Sequence, residues 1–407
     1  MAVLSKLRAS ESNVSEFPRR VLVVEALAGT LRTSWIEERR EEYALRGART
    51  FHLACAFEKG GPWAGVTGLF SELFSEIQYD RPDLIEPHGF ELAYILPLLR
   101  RSLKVRNPNL TDMAPSSERT RNYPADRAVR NIHGLIDLID EWKTAVCPES
   151  PWVIACDALD EAGAMGSLFF RELMRRRGKS LNIHLFAGAS PGNGQSVCMS
   201  FDSGLQTRLV AARLDPQPPA APDSLQAGGA AAELEERIGD DELERQANLP
   251  LLIYLWKAAG RSDKLFRYQF LALETYNTQG LYADAIRYGD GLLDLASREA
   301  PGDDDLRWLI FQKLFMSHIG LEDVDTSFRL AEDTGLPLAE KDASRRNQLF
   351  YLMAILYARF KKPRDLQKGE EYLELSLAAI AESDMPEGER HFRYVFNRNG
   401  LAMIRNF

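Results

Sequence analysis

Apolar positions in the first half of the chain form short continuous runs separated by longer amphipathic stretches. Such runs are typical of strands in a parallel sheet, and the stretches between them are typical of crossover helices, so we expect an α/β domain with helices on both faces of the sheet. The apolar runs predict strands at Arg20–Glu25, Thr50–Cys55, Trp152–Cys156, Asn182–Gly188 and Arg208–Leu214. The amphipathic stretches predict helices near Thr33–Leu45, Trp63–Ile77, Gly89–Leu103, Asp126–Ala145 and Gly163–Arg177.

Beyond Ala232 the pattern changes to helical periodicity throughout, and no segment alternates as a strand does. Turns near Gly280, Gly320 and Lys361 divide this region into helix pairs. Their interval of about forty residues is typical of helical repeats. The second half is therefore predicted to be an all-α solenoid, with an irregular helical domain as the alternative.

One helical unit, Phe266–Ala296, resembles a tetratricopeptide repeat. Tyr276, Gly280 and Ala285 stand where that repeat has an aromatic residue, a turn glycine and a small residue at the helix crossing. The resemblance implies a stacked superhelix whose concave face binds a protein or peptide partner. Looser copies of the unit are Leu306–Gly335 and Arg345–Ala381.

Shifts in composition divide the chain into four parts. Residues 1–17 form a polar lead-in, and residues 18–214 form the α/β domain. Residues 215–260 begin with a stretch rich in proline, alanine and glycine, which predicts a linker, and continue as a helical subdomain with a break at Pro250. Residues 261–407 hold the tetratricopeptide-like repeats.

The composition is that of an ordinary globular protein, with 407 residues, 45% of them hydrophobic and 27% charged. A net charge of −9 disfavours direct nucleic-acid binding. No apolar run approaches the ~18 residues of a membrane helix, and the N-terminus lacks the apolar core of a signal peptide. The four cysteines have neither metal nor disulfide spacing, which indicates a reducing, cytoplasmic environment.

The segment after the first predicted strand has the layout of a phosphate-binding loop. In the pattern G-x-x-x-x-G-K-[ST], backbone amides and a lysine surround phosphate, and the hydroxyl residue holds Mg²⁺. Laid on Ala26–Thr33, the pattern keeps Thr33 as the hydroxyl and Gly29 within the loop. Ala26 and Leu31 replace glycines, and Arg32 replaces the lysine, so the site is degenerate. The alternative is a plain strand–turn–helix connection.

A second candidate element is Trp152–Ala162, a hydrophobic strand that delivers Asp157 to its carboxyl end. In nucleotide sites a carboxylate at that position holds Mg²⁺ directly or through water. Asp160 and Glu161 follow within one turn, where either would be placed to orient an attacking water. The alternative is that these carboxylates cap the next helix.

The order of these pieces resembles the ATPase module of the signal-transduction ATPases with numerous domains (the STAND class), as in large LuxR-type bacterial regulators. Pro62–Arg100 resembles the helices inserted in that family, and Pro250 matches its adenine-contacting proline. The resemblance implies ATP or ADP with Mg²⁺ as cofactor, and Thr33 and Asp157 as metal ligands. The nucleotide contacts that it implies are Gly29, Arg32, Thr33, Asp157, Asp160, Glu161 and Pro250.

Several departures from that family argue against catalysis. The loop has lost two glycines and its lysine, the strand ending near Gly188 lacks the family's arginine, and neither a winged helix nor a helix-turn-helix segment is recognised. We therefore expect a non-catalytic scaffold or regulator that binds a protein or peptide partner, with nucleotide absent or weakly bound. The alternatives are an active ATP-dependent switch and the sensory half of a transcriptional regulator without its own DNA-binding domain.

The segment Glu387–Phe407 reads as the first helix of a further repeat. Its apolar face consists of Phe392, Phe396, Met403 and Phe407. Solenoid units bury apolar surface against their neighbours, and monomers rarely expose such a face. We expect the face to bind a partner chain or a second copy of this chain, giving a hetero- or homo-oligomer. The alternative is that the helix folds back and caps its own array.

Overall fold

The computed structural model describes residues 20–26, 30–103, 124–201, 205, 207–211 and 223–405. The chain divides into two compact units, with the boundary between Arg261 and Ser262. Unit 1 precedes this boundary and unit 2 follows it. Two predicted site residues, Gly29 and Phe407, lie outside the described residues.

Unit 1 contains a five-stranded parallel sheet with the order β2-β3-β4-β1-β5. Its strands are β1 Val21–Glu25, β2 Arg49–Ala54, β3 Trp152–Asp157, β4 Ile183–Ala189 and β5 Thr207–Ala211. β4 is buried along its whole length, and β3 is buried up to its last residue, as expected where helices cover a parallel sheet. The five predicted strands are confirmed, because apolar runs of strand length leave little ambiguity in a βαβ pattern. Residues 212–214, which belong to the predicted fifth strand, lie outside the described residues.

The helices of unit 1 are α1 Thr30–Leu45, α2 Phe57–Gly60, α3 Val66–Asp80, α4 Gly89–Ile95, α5 Pro124–Val146, α6 Ala164–Arg177, α7 Gly194–Ser200, α8 Ser224–Ile238 and α9 Glu242–Ala258. Short 3₁₀ turns lie at Gly61–Trp63, Pro82–Leu84, Pro97–Arg101 and Leu159–Glu161. The helix predicted at Trp63–Ile77 begins later, because Gly65 adopts φ = +80° beside Cys55 and Phe170. The helix predicted at Gly89–Leu103 stops before Pro97.

The structure bears on two predictions for residues 215–260. Residues 215–222 of the stretch predicted as a linker or domain edge lie outside the described residues, and its later part is helical, because α8 begins at Ser224, where the Asp223 side chain accepts a hydrogen bond from the Leu225 N–H. The predicted break at Pro250 does not occur, and α9 runs through it. The lost backbone hydrogen bond is offset by burial of Leu249, Pro250 and their neighbours on the same face of the helix.

The regular secondary structure of unit 2 is all helical within its described residues. Its helices are α10 Ser262–Gln279, α11 Tyr282–Gly289, α12 Leu292–Glu299, α13 Asp304–Gly320, α14 Val324–Leu330, α15 Leu336–Ala339, α16 Ala343–Ile355, α17 Leu366–Glu382 and α18 Glu387–Arg405, with π-helical turns at Ala331–Gly335 and Leu356–Phe360. The predicted turns near Gly280, Gly320 and Lys361 are confirmed, and Gly280 has φ = +77°. None of the described helices in either unit combines the length and apolar character needed to cross a membrane.

Two apolar clusters hold unit 2 together. In the middle of the unit, Trp308, Phe311 and Phe315 of α13 pack with Leu349 and Met353 of α16. Near its end, Leu401 and Ile404 of α18 pack with Ala354 of α16 and Leu373 of α17. The last helix is thus attached to its own array by one buried face.

Candidate functional site

The carboxyl ends of β1, β3 and β4 meet at one edge of the sheet, because parallel strands all end on the same side. β4 lies between β1 and β3, which brings the connections after these three strands together. Ligand sites in open parallel sheets are found at such an edge. We call this region the sheet edge, and it comprises Glu25, the first turn of α1, Asp157–Glu161 and Ser190–Gly194.

Arg32 and Thr33 both bind the carboxylate of Asp157. Arg32 Nε donates to Asp157 Oδ1 at 2.6 Å, and Thr33 Oγ1 donates to Asp157 Oδ2 at 2.8 Å. The Arg32 side chain is 3% exposed and that of Asp157 19%, so water screens the ion pair only weakly. Each oxygen of Asp157 therefore has a donor from within the chain, and a buried guanidinium neutralises its charge.

This contact depends on where α1 begins. The sequence pattern placed Arg32 and Thr33 at the end of a loop, with the helix starting at Thr33. The helix in fact begins at Thr30, so that both residues lie in its first turn and face the end of β3. The sequence identified the residue types, but the pairing across the sheet required the strand order.

The backbone next to Asp157 is shaped around its carboxylate. A Cβ on Gly188 of β4 would lie 2.9 Å from Asp157 Oδ1, so a larger residue there would displace the carboxylate. Ala158 follows in the left-handed region at φ = +57°, which costs about 1–2 kcal/mol for a residue with a side chain. The strained turn leads the chain away from β3 into the 3₁₀ turn that carries Asp160 and Glu161.

Asp160 and Glu161 hold the connection after β4. Asp160 Oδ2 accepts hydrogen bonds from the Ser190 N–H at 3.0 Å and from Asn193 Nδ2 at 2.9 Å. Glu161 Oε1 accepts one from Ser190 Oγ at 3.0 Å. The N-cap residue of α6 is Gly163, so capping of this helix by Asp160 or Glu161 stays a prediction. The other oxygen of Asp160, Oδ1, is buried and has no hydrogen-bond partner among the described residues.

Glu25, at the end of β1, belongs to this site although the sequence did not reveal it. Glu25 Oε2 accepts a hydrogen bond from the Gly194 N–H at 2.9 Å, at the first residue of α7. A Cβ on Gly194 would lie 2.5 Å from that oxygen, so only glycine permits the contact. In the sequence, Glu25 is visible only as an acidic residue at the end of an apolar run. That pattern does not identify Gly194, which lies far along the chain, as its partner.

The residues of the sheet edge do not fit Mg²⁺. Magnesium takes oxygen ligands in a nearly octahedral arrangement, whereas both Asp157 oxygens already accept hydrogen bonds from Arg32 and Thr33. A cation next to Asp157 would also lie against the Arg32 guanidinium, which repels it. No group of three or more His, Cys, Asp or Glu side chains is arranged for a metal within the described residues.

The sheet edge keeps one unused donor. Arg32 Nη1 is buried and has no hydrogen-bond partner among the described residues. A guanidinium N–H of this kind favours an anion as its partner. Pro250 does not join the site as a turn residue, because it lies buried inside α9. Of the seven predicted nucleotide contacts, the structure brings together Arg32, Thr33 and Asp157, with Asp160 and Glu161 in the following turn.

A second candidate site is a cavity of about 520 Å³ in unit 2, which we call the repeat cavity. Its volume lies in the range typical of ligand pockets. Residues of α10, α13, α16 and α18 line it. Three of these residues, Asn277, Gln312 and Asn347, are amides spaced 35 residues apart, so each occupies the same place on a successive repeat.

The amide groups also join neighbouring helices to one another. Asn277 Nδ2 donates to the carbonyl oxygen of Lys313 at 3.1 Å and to Ser317 Oγ at 2.9 Å. Asn347 Nδ2 donates to the carbonyl oxygen of Ser376 at 3.1 Å and to its Oγ at 2.8 Å. These hydrogen bonds hold the two asparagine side chains, which line the repeat cavity, in fixed positions.

An aromatic wall closes one side of the repeat cavity. The ring centroids of Tyr351 and Phe396 are 4.9 Å apart, and those of Phe392 and Phe396 are 6.1 Å apart. Burial raises the pKa of the Tyr351 hydroxyl to about 12, which keeps it neutral near pH 7. Two of the predicted partner-binding residues, Phe392 and Phe396, are thus part of a concave site, whereas Met403 is 63% exposed outside it.

No family model matches the chain, and a search among curated proteins finds no match either.

Proposed function

We propose that the chain is a non-catalytic scaffold or regulator that binds a protein or peptide partner through the helices of unit 2. In this proposal unit 1 is a degenerate P-loop NTPase-like domain and unit 2 a tetratricopeptide-like solenoid, both acting in the cytoplasm. The observation that carries the proposal is the engagement of both Asp157 oxygens by Arg32 and Thr33.

That observation argues against ATP hydrolysis, because Arg32 already neutralises the carboxylate that would hold a metal ion. Phosphoryl transfer to water depends on a metal ion that neutralises the phosphates and on a carboxylate that holds it. Asp157 is the carboxylate at the right strand end, and it is neutralised by a guanidinium buried in the protein. Releasing it for a metal would leave Arg32 buried without its partner, which costs several kcal/mol.

Unit 2 supports the binding half of the proposal. The repeat cavity offers amide, charged and aromatic groups on helices that are held by their own apolar clusters. Groups on packed helices are already ordered, so the binding of a partner costs this site little conformational entropy. The face of α18 that carries Met403, exposed on the same helix that closes the cavity, would be a second contact surface.

One observation favours a second candidate, a site that holds nucleotide without hydrolysing it. Arg32 Nη1, which has no partner among the described residues, would donate a hydrogen bond to a phosphate oxygen while Nε keeps its bond to Asp157. Such binding would not require Mg²⁺, since the guanidinium supplies the positive charge. This candidate is compatible with partner binding through unit 2.

The test of the proposal is steady-state phosphate release from ATP with Mg²⁺, measured for the wild type and for Asp157→Ala. We expect both proteins to release phosphate more slowly than about one per minute, without a difference between them. Thr33→Val serves as a second variant should Asp157→Ala fail to fold. Faster release that either substitution abolishes would contradict the proposal and favour the ATP-dependent switch.

A further inference from the structure

We propose that the repeat cavity binds an extended peptide segment carrying one acidic side chain and, about five residues away, one large apolar side chain. This inference rests on the proposed function and specifies the partner for the same site. Three properties of the cavity carry it: its unused hydrogen-bond acceptors, its unbalanced charge and its aromatic wall.

The unused hydrogen-bond acceptors of the repeat cavity are asparagine side-chain oxygens, and they favour an occupant that donates N–H groups. Asn397 is 2% exposed, lines the repeat cavity, and its Oδ1 has no hydrogen-bond partner among the described residues. Asn277 uses its Nδ2 for two bonds within the array, and its Oδ1 accepts none there. A buried acceptor is normally satisfied, and a peptide backbone presents N–H groups at the spacing of its residues.

The charge of the cavity calls for an acidic group. Arg393 is committed within the array, because it donates to Glu389 Oε1 at 2.7 Å and to Asn347 Oδ1 at 3.3 Å. Lys313 has no carboxylate within ion-pair distance among the residues that the structure describes. The cavity therefore has one surplus positive charge on a chain whose net charge is −9. A carboxylate on the occupant complements Lys313, and basic occupants are disfavoured.

The aromatic wall calls for an apolar side chain. Phe392 is 50% exposed on the cavity side of α18, next to Phe396 and Tyr351. Aromatic residues exposed in a concave site often contribute most of the binding free energy at a protein interface. An aromatic or large aliphatic side chain of the occupant would remove these rings from water.

The layout of these groups favours a peptide over a single amino acid. Lys313 is on α13 and Phe392 on α18, with α16 between them. Packed helices lie about 8–10 Å apart, so the axes of the two helices that carry Lys313 and Phe392 lie about 16–20 Å apart. An extended chain covers that distance in about five or six residues. One free amino acid could not reach both groups.

The experiment uses a phage-displayed library of random dodecapeptides selected on the full chain. We expect enriched peptides to contain Asp or Glu about five residues from Phe, Tyr, Trp, Leu or Ile. The peptides are then synthesised, and their affinities are measured by fluorescence anisotropy. Lys313→Glu should weaken binding by about tenfold or more, and exchanging the peptide's acidic residue for lysine should restore part of the loss.

Matched controls separate the cavity from general surface effects. Lys341→Glu makes the same charge change at an exposed turn and should leave the affinities within about twofold. Phe392→Ala should weaken binding by about threefold to tenfold, whereas Val395→Ala, also exposed on α18, should not.

Each remaining outcome overturns a defined part of the argument. Enriched peptides that lack this pattern, or that bind Lys313→Glu as well as the wild type, would refute this inference and leave the proposed function standing. A failure to enrich any peptide over a surface without protein would refute the inference and count against the proposed function too. Tight binding of free aromatic amino acids would replace the peptide with a small-molecule ligand.

Discussion

The buried charge of Arg32 is compensated by the carboxylate of Asp157, with which it forms an ion pair. The guanidinium is almost wholly buried, and the ion pair at 2.6 Å is its main compensation. A buried ion pair adds little net stability over apolar residues, but the loss of one partner leaves an uncompensated charge and is strongly destabilising. This asymmetry distinguishes a structural ion pair from a site that waits for a ligand.

We predict that Arg32→Ala lowers the free energy of unfolding of unit 1 by about 2–4 kcal/mol, because Asp157 loses the cation that pairs with it. Asp157→Asn in the same chain should recover part of that loss, since no charge then remains unpaired. Five of the six tryptophans are in unit 1, so urea denaturation followed by tryptophan fluorescence reports on this unit.

The matched control is Arg46→Ala, in the turn that follows the last residue of the same helix. Arg46 is 47% exposed and pairs with Glu42 at the surface, so its loss should cost less than about 1 kcal/mol. An equal cost for Arg32→Ala and Arg46→Ala would mean that the Asp157 ion pair does not hold the sheet edge together.

The residue types at the sheet edge could be predicted from the sequence, but their pairing could not. An arginine in place of lysine and an aspartate at a strand end were visible in the chain. That Arg32 binds Asp157, and Glu25 binds Gly194, depends on β4 lying between β3 and β1. Local patterns carry no information on such distant partners, because strand order is decided by the packing of the whole sheet.

At the scale of elements, strands and helix periods were predictable where burial determines them. Apolar runs gave the strands, and the helical period gave the all-helical second half. The prediction failed at Pro250, because the local cost of proline was outweighed by the burial of α9. The repeat cavity was foreseen only as a concave face, since its amides act together only when α10, α13 and α16 are stacked.

The last helix, α18, has two faces with different roles. Leu401 and Ile404 pack against Ala354 and Leu373, whereas Met403 remains 63% exposed. The buried face corresponds to the alternative in which the helix caps its own array. The exposed face is accessible to a partner, and the partner contact stays a prediction.

We predict that Leu401→Ala raises the rate of trypsin cleavage after Arg398 in the native chain by about thirtyfold or more. Removing a buried leucine side chain costs about 2–5 kcal/mol, and cleavage of a helix follows the population of its opened state. Met403→Ala, which removes a mostly exposed side chain, should change the rate by less than about threefold. Equal rates for the two variants would show that α18 is not held by its buried face.

For the whole molecule, we infer different roles for the two units. In unit 1 the carboxylates of Asp157, Asp160 and Glu25 accept hydrogen bonds from within the chain, and one buried oxygen, Asp160 Oδ1, has no partner among the described residues. In unit 2 the repeat cavity retains polar atoms and aromatic rings that no part of the described chain covers. Binding is therefore expected in unit 2, and the sheet edge is expected to contribute stability.

The measurement that tests this division most directly is amide hydrogen exchange on the full chain, with Mg²⁺-ATP and separately with an enriched peptide. The account predicts that the peptide slows exchange in α10, α13, α16 and α18, and that Mg²⁺-ATP leaves exchange at the start of α1 and after β3 unchanged. Protection of the sheet edge by Mg²⁺-ATP, together with no protection of unit 2 by any enriched peptide, would contradict it.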